Sequence, residues 1–244
     1  MIFRKIALLT LATVHTAQAG SNHDWGYASH KAPEHWASLN TNYQSCAGAN
    51  QSPINIQQTV QAKLPPLKFN YHTSAQDIIH NGHTIQINFK PGNDLNLDNQ
   101  QFELKQFHLH SPSENQLQGK SYPMEMHLVH TSTTTGELAV VAVMFDEGKE
   151  NQKLAKLWKE LPKKAGAAIP LKQQDLASAF LPDNLEYYRF NGSLTTPPCT
   201  EGVRWIVLKD IQQASKQQIE AFSKLMEHPN NRPVQPQNAR VVLE

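Results

Sequence analysis

Three histidines with the spacing of metal ligands lie on two short segments that alternate as β-strands do. His108 and His110 are two residues apart, so both point to one face of the first strand, and His127 lies on the second. Paired strands are about 4.8 Å apart, so three imidazoles from them can reach one ion at Zn–N distances of about 2.0–2.1 Å. Three neutral ligands leave one tetrahedral position open, as in catalytic zinc sites. The spacing therefore predicts a catalytic rather than a structural Zn2+ site.

Two polar residues precede these histidines at positions that share their face of the strand. Gln106 lies two residues before His108, and Glu125 lies two residues before His127. A metal-bound histidine usually gives its second N–H to a carboxylate or carbonyl oxygen, which fixes its tautomer and orientation. We therefore expect Gln106 and Glu125 to hold the two ligands. His130 follows His127 by three residues and faces the other side, so it is the poorer candidate.

The elements that must position these residues are mostly strands. Leu138 to Phe145 is a continuous apolar run, which is typical of a buried central strand. Ile78 to Phe89 is predicted to form two strands about Asn81-Gly82. Two helices are also predicted, and both have the pattern of packing elements. One runs from Asn151 to Leu161 with an apolar face, and the other begins at the capping box Ser215-x-x-Gln218.

The first 19 residues have the pattern of a secretory signal peptide, which would be absent from the mature protein. Arg4 and Lys5 form a basic start, Ile6 to Val14 is a short and mostly apolar run, and Ala17-Gln18-Ala19 matches a cleavage site. The run is too short to span a membrane. The chain is therefore predicted to be exported, with a retained membrane anchor as the alternative.

Residues 20–244 are predicted to form one domain, and their composition is that of a soluble globular protein. The chain is 39% hydrophobic and 18% charged, with a formal net charge of +1. It has no basic block or acidic tail, which argues against nucleic acid or an anionic membrane as a partner. No later apolar run approaches about 18 residues, so no membrane anchor is expected. The predicted location is the periplasm, with full secretion as the alternative.

The chain has two cysteines, Cys46 and Cys199. In an exported protein an even number of cysteines favours a disulfide, and only one intrachain pairing is possible here. Two free buried thiols are the alternative.

Five segments, in order along the chain, together resemble a known family. They are QSPINI at Gln51–Ile56, NGH at Asn81–His83, QFHLH at Gln106–His110, EMHLVH at Glu125–His130 and SLTTPP at Ser193–Pro198. With these segments the sequence resembles the α-class carbonic anhydrases of the exported bacterial kind. The resemblance implies a mainly β fold of the α+β class. That fold is one domain built on a large, twisted, mostly antiparallel central sheet with a few peripheral helices and a conical active-site cavity.

The resemblance also implies an activity, the zinc-dependent reversible hydration of carbon dioxide to bicarbonate and a proton. In that scheme zinc hydroxide attacks carbon dioxide, and His83 matches the proton shuttle. Thr195 matches the residue that accepts the hydroxide proton and passes its own proton to a glutamate, matched by Glu114. Thr196 matches a residue that helps to bind substrate. Asn230 matches the position whose backbone carbonyl accepts from His110.

Further positions match the family's cavity, disulfide and turn. The residues that hold the cavity's waters are matched by Tyr27, Asn81 and Gln86. The apolar wall for carbon dioxide is matched by Val129, Val140, Leu194, Val203 and Trp205. The family's disulfide is matched by Cys46 and Cys199, and its cis peptide by Pro197-Pro198.

The sequence departs from many animal members near Glu114. The connection from His110 to Glu114 is short, and Asn115 stands where a histidine is common. These differences affect the hydrogen bonding expected around Glu114 and the cavity rim, and they leave the ligand set intact. A non-catalytic, carbonic-anhydrase-like zinc-binding protein is the alternative reading. The complete set of ligands, the Thr195/Glu114 pair and His83 favour the enzyme. A zinc peptidase would need H-E-x-x-H on a helix, which the sequence lacks.

Overall fold

The computed structural model describes residues 24–172 and 177–244, so the predicted signal peptide at 1–19 lies outside the described residues. The strands within these ranges are β1 (Asn55–Ile56), β2 (Thr59–Val60), β3 (Lys68–Tyr71), β4 (Ala75–His80), β5 (Ile85–Phe89), β6 (Asn93–Leu97), β7 (Gln100–His110), β8 (Gln116–Leu117), β9 (Met124–Ser132), β10 (Leu138–Glu147), β11 (Ile169–Pro170), β12 (Tyr187–Ser193), β13 (Glu201–Leu208), β14 (Gln212–Ala214) and β15 (Val242–Leu243). The α-helices are α1 (Trp36–Leu39), α2 (Gln152–Trp158) and α3 (Lys216–Met226). Short 3-10 helices cover Ser29–Lys31, Pro33–His35, Thr41–Ala47 and Ala177–Phe180.

Most strands of the described ranges join one large sheet in the order β11-β4-β5-β7-β9-β10-β13-β12-β15-β2. Pairing along this order is antiparallel except for β10 with β13 and β15 with β2, which are parallel. Outside this order, β6 pairs with β7 and with β3, and β14 pairs with β10. The strands β1 and β8 pair in a small separate sheet. The predicted mainly β architecture with a mostly antiparallel sheet is confirmed. The strand pair β7–β9, which carries the three histidines, lies in the middle of the order.

The central strand β10 contains the predicted apolar run and is buried from Ala139 to Phe145. Both of its faces are covered. Ala139, Val141, Val143 and Phe145 belong to the larger core, which also includes residues of α2 and α3. The alternate residues Val140, Ala142 and Met144 belong to a second apolar cluster on the other face, with Val203 and Trp205. Because both faces are covered, the strand is continuously apolar instead of alternating.

The helix predicted over Asn151–Leu161 is shorter in the structure. Asn151 caps α2, and its side chain accepts from the backbone N–H groups of Lys153 and Leu154. The helix ends at Trp158 because the next backbone N–H groups turn to residues three positions back, with Glu160 N donating to Leu157 O at 2.9 Å. Leu161 still packs against the core from beyond the helix end. The sequence pattern therefore predicted the buried face of the helix correctly, but it placed the end of the helix three residues too late.

The second predicted helix is α3, and its predicted capping box is present. The Ser215 side chain accepts from Gln218 N, and the Gln218 side chain accepts from Ser215 N. Gln218 also bonds the backbone of Asn151 in both directions, with Asn151 N donating to it at 2.9 Å and Asn151 O accepting at 2.8 Å. The residue therefore caps α3 and ties it to the start of α2. Among the described residues, no helix is both long and apolar enough to cross a membrane.

Candidate metal centre

The three predicted ligand histidines meet on one face of the paired strands β7 and β9. His108 lies directly opposite His127 in the strand register, and His110 lies opposite Glu125. One nitrogen from each of the three rings lies within 4.8 Å of the others. This group contains two residues at i, i+2 and a third from the neighbouring strand, as the alternation predicted.

Hydrogen bonds to the far side of two rings decide which nitrogen faces the centre. His108 Nδ1 lies 2.9 Å from Gln106 Oε1, and His127 Nε2 lies 2.8 Å from Glu125 Oε1. Each of these oxygens accepts, so each bonded nitrogen carries its proton. The remaining nitrogens, Nε2 of His108 and Nδ1 of His127, are therefore bare and have the lone pair that a metal needs. Gln106 and Glu125 are placed as the sequence predicted.

His110 is held by a backbone carbonyl in the loop around Asn230 rather than by a side chain. Its Nδ1 lies 2.7 Å from the backbone carbonyl of Asn230. The Asn230 side chain fixes that loop, because its Oδ1 accepts from Ser111 N at 2.8 Å and its Nδ2 donates to the carbonyls of Leu109 and His83, each at 2.9 Å. His110 Nε2 is buried and has no hydrogen-bond partner among the described residues. A buried, unpartnered ring nitrogen aimed at two other bare nitrogens fits a metal ion.

The electrostatics of the group keep the three rings neutral. Burial lowers the pKa of His108 well below its usual range, and the neighbouring rings of His110 and His127 lower it further. Burial also lowers the pKa of His127 strongly and that of His110 less, since the Asn230 carbonyl favours protonated His110. Metal ligands must be deprotonated at the binding nitrogen. The ring arrangement therefore fits a divalent cation without any rearrangement of protons at neutral pH.

Glu125 is buried and uses both carboxylate oxygens. Beside His127, Oε1 accepts from Asn115 Nδ2 at 2.7 Å, while Oε2 accepts from the backbone N–H of Glu114 at 2.6 Å and of Asn115 at 2.8 Å. Burial raises the pKa of Glu125, and the Asn115 and Glu114 donors oppose that rise. Asn115 Oδ1 also accepts from Ile54 N at 3.2 Å. The short connection after His110 is therefore anchored on the same carboxylate that holds His127.

Glu114 is a buried carboxylate beside the histidine group. Its Oε1 accepts from Arg232 N at 2.8 Å, and its Oε2 lies 3.4 Å from His110 Nε2 and 3.8 Å from His127 Nδ1. Burial raises the pKa of Glu114 well above its usual range, and bonds from Arg232 N and the Thr195 side chain lower it in part. Oε2 makes no hydrogen bond of good geometry among the described residues. Thr195 is thus close to Glu114, as the resemblance implied.

A cavity of about 120 Å³ leads to the histidines. Its lining includes Tyr27, Asn81, Gln86 and His83, which the sequence assigned to cavity waters and proton transfer, together with Thr196. Asn81 shapes the β4–β5 turn, because its Oδ1 accepts from the backbone N–H groups of His83 and Thr84, each at 2.9 Å. The His83 ring stacks on Trp25 with ring centroids 3.8 Å apart. The structure therefore brings the predicted polar residues and two ligands, His108 and His110, to one cavity.

The predicted apolar wall contacts the histidine group at His127. Trp205 packs edge-on to the His127 ring with centroids 4.9 Å apart. Val140 and Val203 are buried with Trp205 in one cluster, and Val129 and Leu194 pack against it. Trp205 Nε1 donates to Ser193 O at 2.9 Å, which fixes the indole. The site thus has a polar side and an apolar side.

Cys46 and Cys199 form the predicted disulfide. The disulfide holds one end of the loop that carries Thr195 and Thr196. Within that loop, Cys199 N donates to Thr196 O at 2.8 Å. The expected cis Pro197–Pro198 peptide is present in the same loop.

Comparison with known proteins decides the family. The sequence profile described as eukaryotic-type carbonic anhydrase matches residues 31–244. The chain belongs to the carbonic anhydrase family. A carbonic anhydrase of Neisseria gonorrhoeae is 49% identical over 99% of this chain and 96% of its own length. One of Pectobacterium carotovorum is 46% identical over 96% of both.

Solved structures agree with this assignment. The α-carbonic anhydrase of Thermovibrio ammonificans, in complex with the inhibitor sulfanilamide, superposes with a TM-score of 0.89 at 45% identity, covering 92% of this chain and 100% of that one. Dioscorin complexed with ascorbate has the same fold, with a TM-score of 0.83 at 29% identity over 90% of this chain and 96% of that one. Because carbonic anhydrases share their fold with a protein of another name, the side chains of the site must carry the functional argument.

Sequence reasoning missed the roles of two residues in this carbonic anhydrase site. Asn115 was noted only as a departure, yet it bonds both oxygens of Glu125. Arg232 gave no signal, because nothing in its local sequence indicates that a distant carboxylate accepts from its backbone. Both contacts join segments whose proximity only the fold reveals.

Proposed function

We propose that this chain is a zinc-dependent carbonic anhydrase that hydrates carbon dioxide reversibly to bicarbonate and a proton. The observation that carries the proposal is the convergence of three bare imidazole nitrogens, within 4.8 Å of one another, between a polar cavity and an apolar wall. Three nitrogen ligands with one open position suit catalytic zinc. When bound there, Zn2+ would supply the Lewis acidity that makes water a nucleophile near neutral pH, a property established for carbonic anhydrases as a class.

The apolar wall binds the substrate. Carbon dioxide has no net dipole and is held by contact with Val129, Val140, Leu194, Val203 and Trp205. An apolar surface beside the histidines holds it loosely and offers no group that competes for the metal. Thr196 helps to bind the polar product, a role supported by its position in the cavity lining.

Thr195 and Glu114 orient the nucleophile. Glu114 is buried and accepts from Arg232 N, and its second oxygen is available to the Thr195 hydroxyl. A hydroxyl that donates its proton to a carboxylate can only accept from its other neighbour. Thr195 therefore accepts a hydrogen bond from the attacking group and directs its lone pair at the substrate carbon. The same arrangement disfavours ligands that have no proton to donate.

His83 carries the product proton from the cavity to buffer. It lines the cavity together with Tyr27, Asn81 and Gln86, whose polar groups hold water between the histidine and the centre. An imidazole has a pKa of about 6.5, which suits proton exchange near neutral pH.

We also infer that the protein acts outside the cytoplasm, in the periplasm. The disulfide supports an oxidising compartment. The pattern of residues 1–19 supports export, and residues 20–244 are proposed as one domain. Peptide sequencing of the mature protein from periplasmic and medium fractions tests the location and the cleavage after Ala19.

Stopped-flow carbon dioxide hydration tests the activity. The mature protein is assayed as purified, after metal removal with a chelator, and after addition of Zn2+, Co2+ or Mg2+. We expect fast hydration that disappears with the metal and returns with Zn2+ but not with Mg2+, because Mg2+ prefers oxygen ligands. A folded, zinc-loaded protein without hydration would overturn the enzyme and leave the non-catalytic zinc-binding protein.

A further inference from the structure

Arg232 is a buried cation whose side-chain partners all connect to the loop that carries Thr195 and Thr196. Its side chain is only 2% exposed, and its guanidinium lies over the Trp36 ring at 5.5 Å from the centroid. Nη1 donates to Gln51 Oε1 at 2.7 Å and to Ser52 O at 2.9 Å, and Nη2 donates to Cys46 O at 2.8 Å. Burial lowers the Arg232 pKa to about 10, so the group is still charged at neutral pH. A charge is buried at this cost only with several good acceptors.

The acceptors of the guanidinium hold both ends of the threonine loop, which we define as residues 193–199. Gln51 Nε2 donates to Cys199 O at 3.1 Å, and Cys46 is the disulfide partner of Cys199. At the other end, Ser52 and Ser193 exchange two bonds: Ser52 N donates to Ser193 Oγ at 2.9 Å and Ser193 N to Ser52 Oγ at 3.1 Å. The loop between these ends carries Thr195 and Thr196.

The backbone of the same residue holds the other half of the orienting pair. Arg232 N donates to Glu114 Oε1 at 2.8 Å, and this leaves Oε2 for Thr195. One residue therefore holds Glu114 through its backbone and the threonine loop through its side chain. Glu114 and the threonine loop belong to distant parts of the chain, and no single strand contains both.

We infer that Arg232 is a positioning residue that sets the distance between the Thr195 hydroxyl and the Glu114 carboxylate. This inference rests on the proposed function and adds a residue to it. Arg232 does not belong to the residues that line the cavity, and its guanidinium bonds Gln51, Ser52 and Cys46. Its effect on the reaction therefore passes through Thr195 and Glu114. Preorganised acceptors and donors around a reacting centre commonly contribute factors of about 10² or more to rate.

The variant Arg232→Met tests this role, because it keeps the backbone N–H and most of the volume but removes every side-chain donor. We expect kcat/KM for carbon dioxide hydration to fall at least tenfold. In dilute buffer kcat should fall less, because proton release then limits turnover. Arg204→Met is the matched control, since Arg204 bonds Gln100 and Glu137 away from the site. Its kcat/KM should stay within twofold of the wild type.

Ligand selectivity provides a readout that does not depend on turnover. The sulfonamide N–H of sulfanilamide can donate a hydrogen bond to the Thr195 oxygen, whereas thiocyanate has no hydrogen to donate. We expect calorimetry on the zinc-loaded proteins to give a ratio of thiocyanate to sulfanilamide Kd at least tenfold smaller in Arg232→Met than in the wild type. Zinc content should remain equal in the two proteins, because all three ligands and their partners are unchanged.

Two further variants keep the test decisive if Arg232→Met does not fold. Arg232→Lys keeps the charge with a single donor centre, and Gln51→Leu removes the link to Cys199 while leaving Arg232 in place. Each variant should have a lower kcat/KM and a lower ratio of thiocyanate to sulfanilamide Kd than the wild type, as Arg232→Met should. Folded variants with both quantities within twofold of the wild type would overturn the positioning role. A wild-type protein without hydration would instead overturn the proposed function, and the Kd ratios would still decide whether Arg232 positions Thr195.

Discussion

His127 and His130 are three residues apart on β9 and face opposite sides of the sheet. His127 joins the metal group, whereas His130 is buried in the main core, with its Nε2 2.6 Å from the Tyr71 hydroxyl and its Nδ1 3.3 Å from Ala139 O. The carbonyl must accept, so Nδ1 carries the proton and Nε2 accepts from Tyr71. Residue type alone does not separate the two roles. Strand alternation separates them.

The first prediction concerns the pH dependence of stability and follows from His130. Burial lowers its pKa to about 4 in the folded protein, against about 6.5 in the unfolded chain. Below pH 6.5 the His130 ring is therefore protonated in the unfolded chain, whereas in the folded protein it stays neutral until about pH 4. The free energy of unfolding is therefore unaffected by His130 above pH 6.5. It falls as the pH is lowered from 6.5 towards 4, by about 3 kcal/mol in total.

The double variant Tyr71→Phe/His130→Leu removes both partners of the bond, so neither is left unpaired. We expect its free energy of unfolding, from urea titrations at pH 7 and pH 4.5, to fall less than that of the wild type. His72→Gln, an exposed histidine next to β3, serves as the control. An equal pH dependence in the double variant and the wild type would show that His130 does not cause the acid sensitivity.

The second prediction concerns His83. Without a carrier, a proton donor of pKa about 7 releases its proton to water at no more than roughly 10²–10³ s⁻¹. The class reaches about 10⁶ s⁻¹, so the carrier limits turnover when buffer is scarce. His83→Ala should therefore lower kcat in dilute buffer at least tenfold, and added imidazole should restore it. His72→Ala is the control, because that exposed histidine next to β3 is not part of the cavity lining. Unchanged turnover of His83→Ala in dilute buffer would refute the proton role.

At the scale of elements, the site depends on strand pairing and the helices support it from behind. The adjacent strands β7 and β9 supply all three ligands, and β10 and β13 supply most of the apolar wall. The helices α2 and α3 pack on the other face of β10 and meet through Gln218 and Trp158, whose Nε1 donates to Gln218 O at 2.9 Å. Damage to the helix pair should therefore change stability and leave metal binding unaffected.

The third prediction tests that division. Gln218→Ala leaves Ser215 N and both backbone groups of Asn151 without their partner, and Gln218 is buried. We expect the free energy of unfolding to fall by about 2–3 kcal/mol, with zinc content unchanged. Gln217→Ala, exposed on the same helix, should change stability by less than about 0.5 kcal/mol. A loss of zinc in a folded Gln218→Ala protein would contradict the division.

At the scale of the whole molecule, the disulfide closes a long loop between distant segments. Cys46 and Cys199 are 153 positions apart. On the chain-entropy account, closing a loop of this size stabilises the folded state by roughly 5 kcal/mol, and measured values for native disulfides are about 2–5 kcal/mol. The fourth prediction is a loss of this size in the Cys46→Ser/Cys199→Ser variant, measured by urea unfolding. Reductant should lower the stability of the wild type and leave that of the variant unchanged. Equal stability of the two oxidised proteins would contradict it.

The parts of this molecule that the sequence could predict are those determined by short-range repetition. Alternation located β7, β9 and the three ligands, and the apolar run located β10, because burial repeats along a strand. The end of α2 at Trp158 was not predictable, since the apolar face continues to Leu161 beyond the helix. Nor were the bonds of Arg232 and Asn115, which join residues as much as 186 positions apart. Such contacts depend on the completed topology, which local patterns do not encode.

The early strand β2 at Thr59–Val60 pairs in the sheet with the late strand β15 at Val242–Leu243. Synthesis on the ribosome adds about 5–20 residues per second. Cys46 is therefore synthesised roughly 8 to 30 seconds before Cys199, and the interval between the synthesis of β2 and that of β15 is longer still. During that interval β2 has no native strand to pair with. The disulfide and the outer edge of the sheet can therefore form only after the late segments of the chain have been made, whereas hairpins such as β4–β5 can form early.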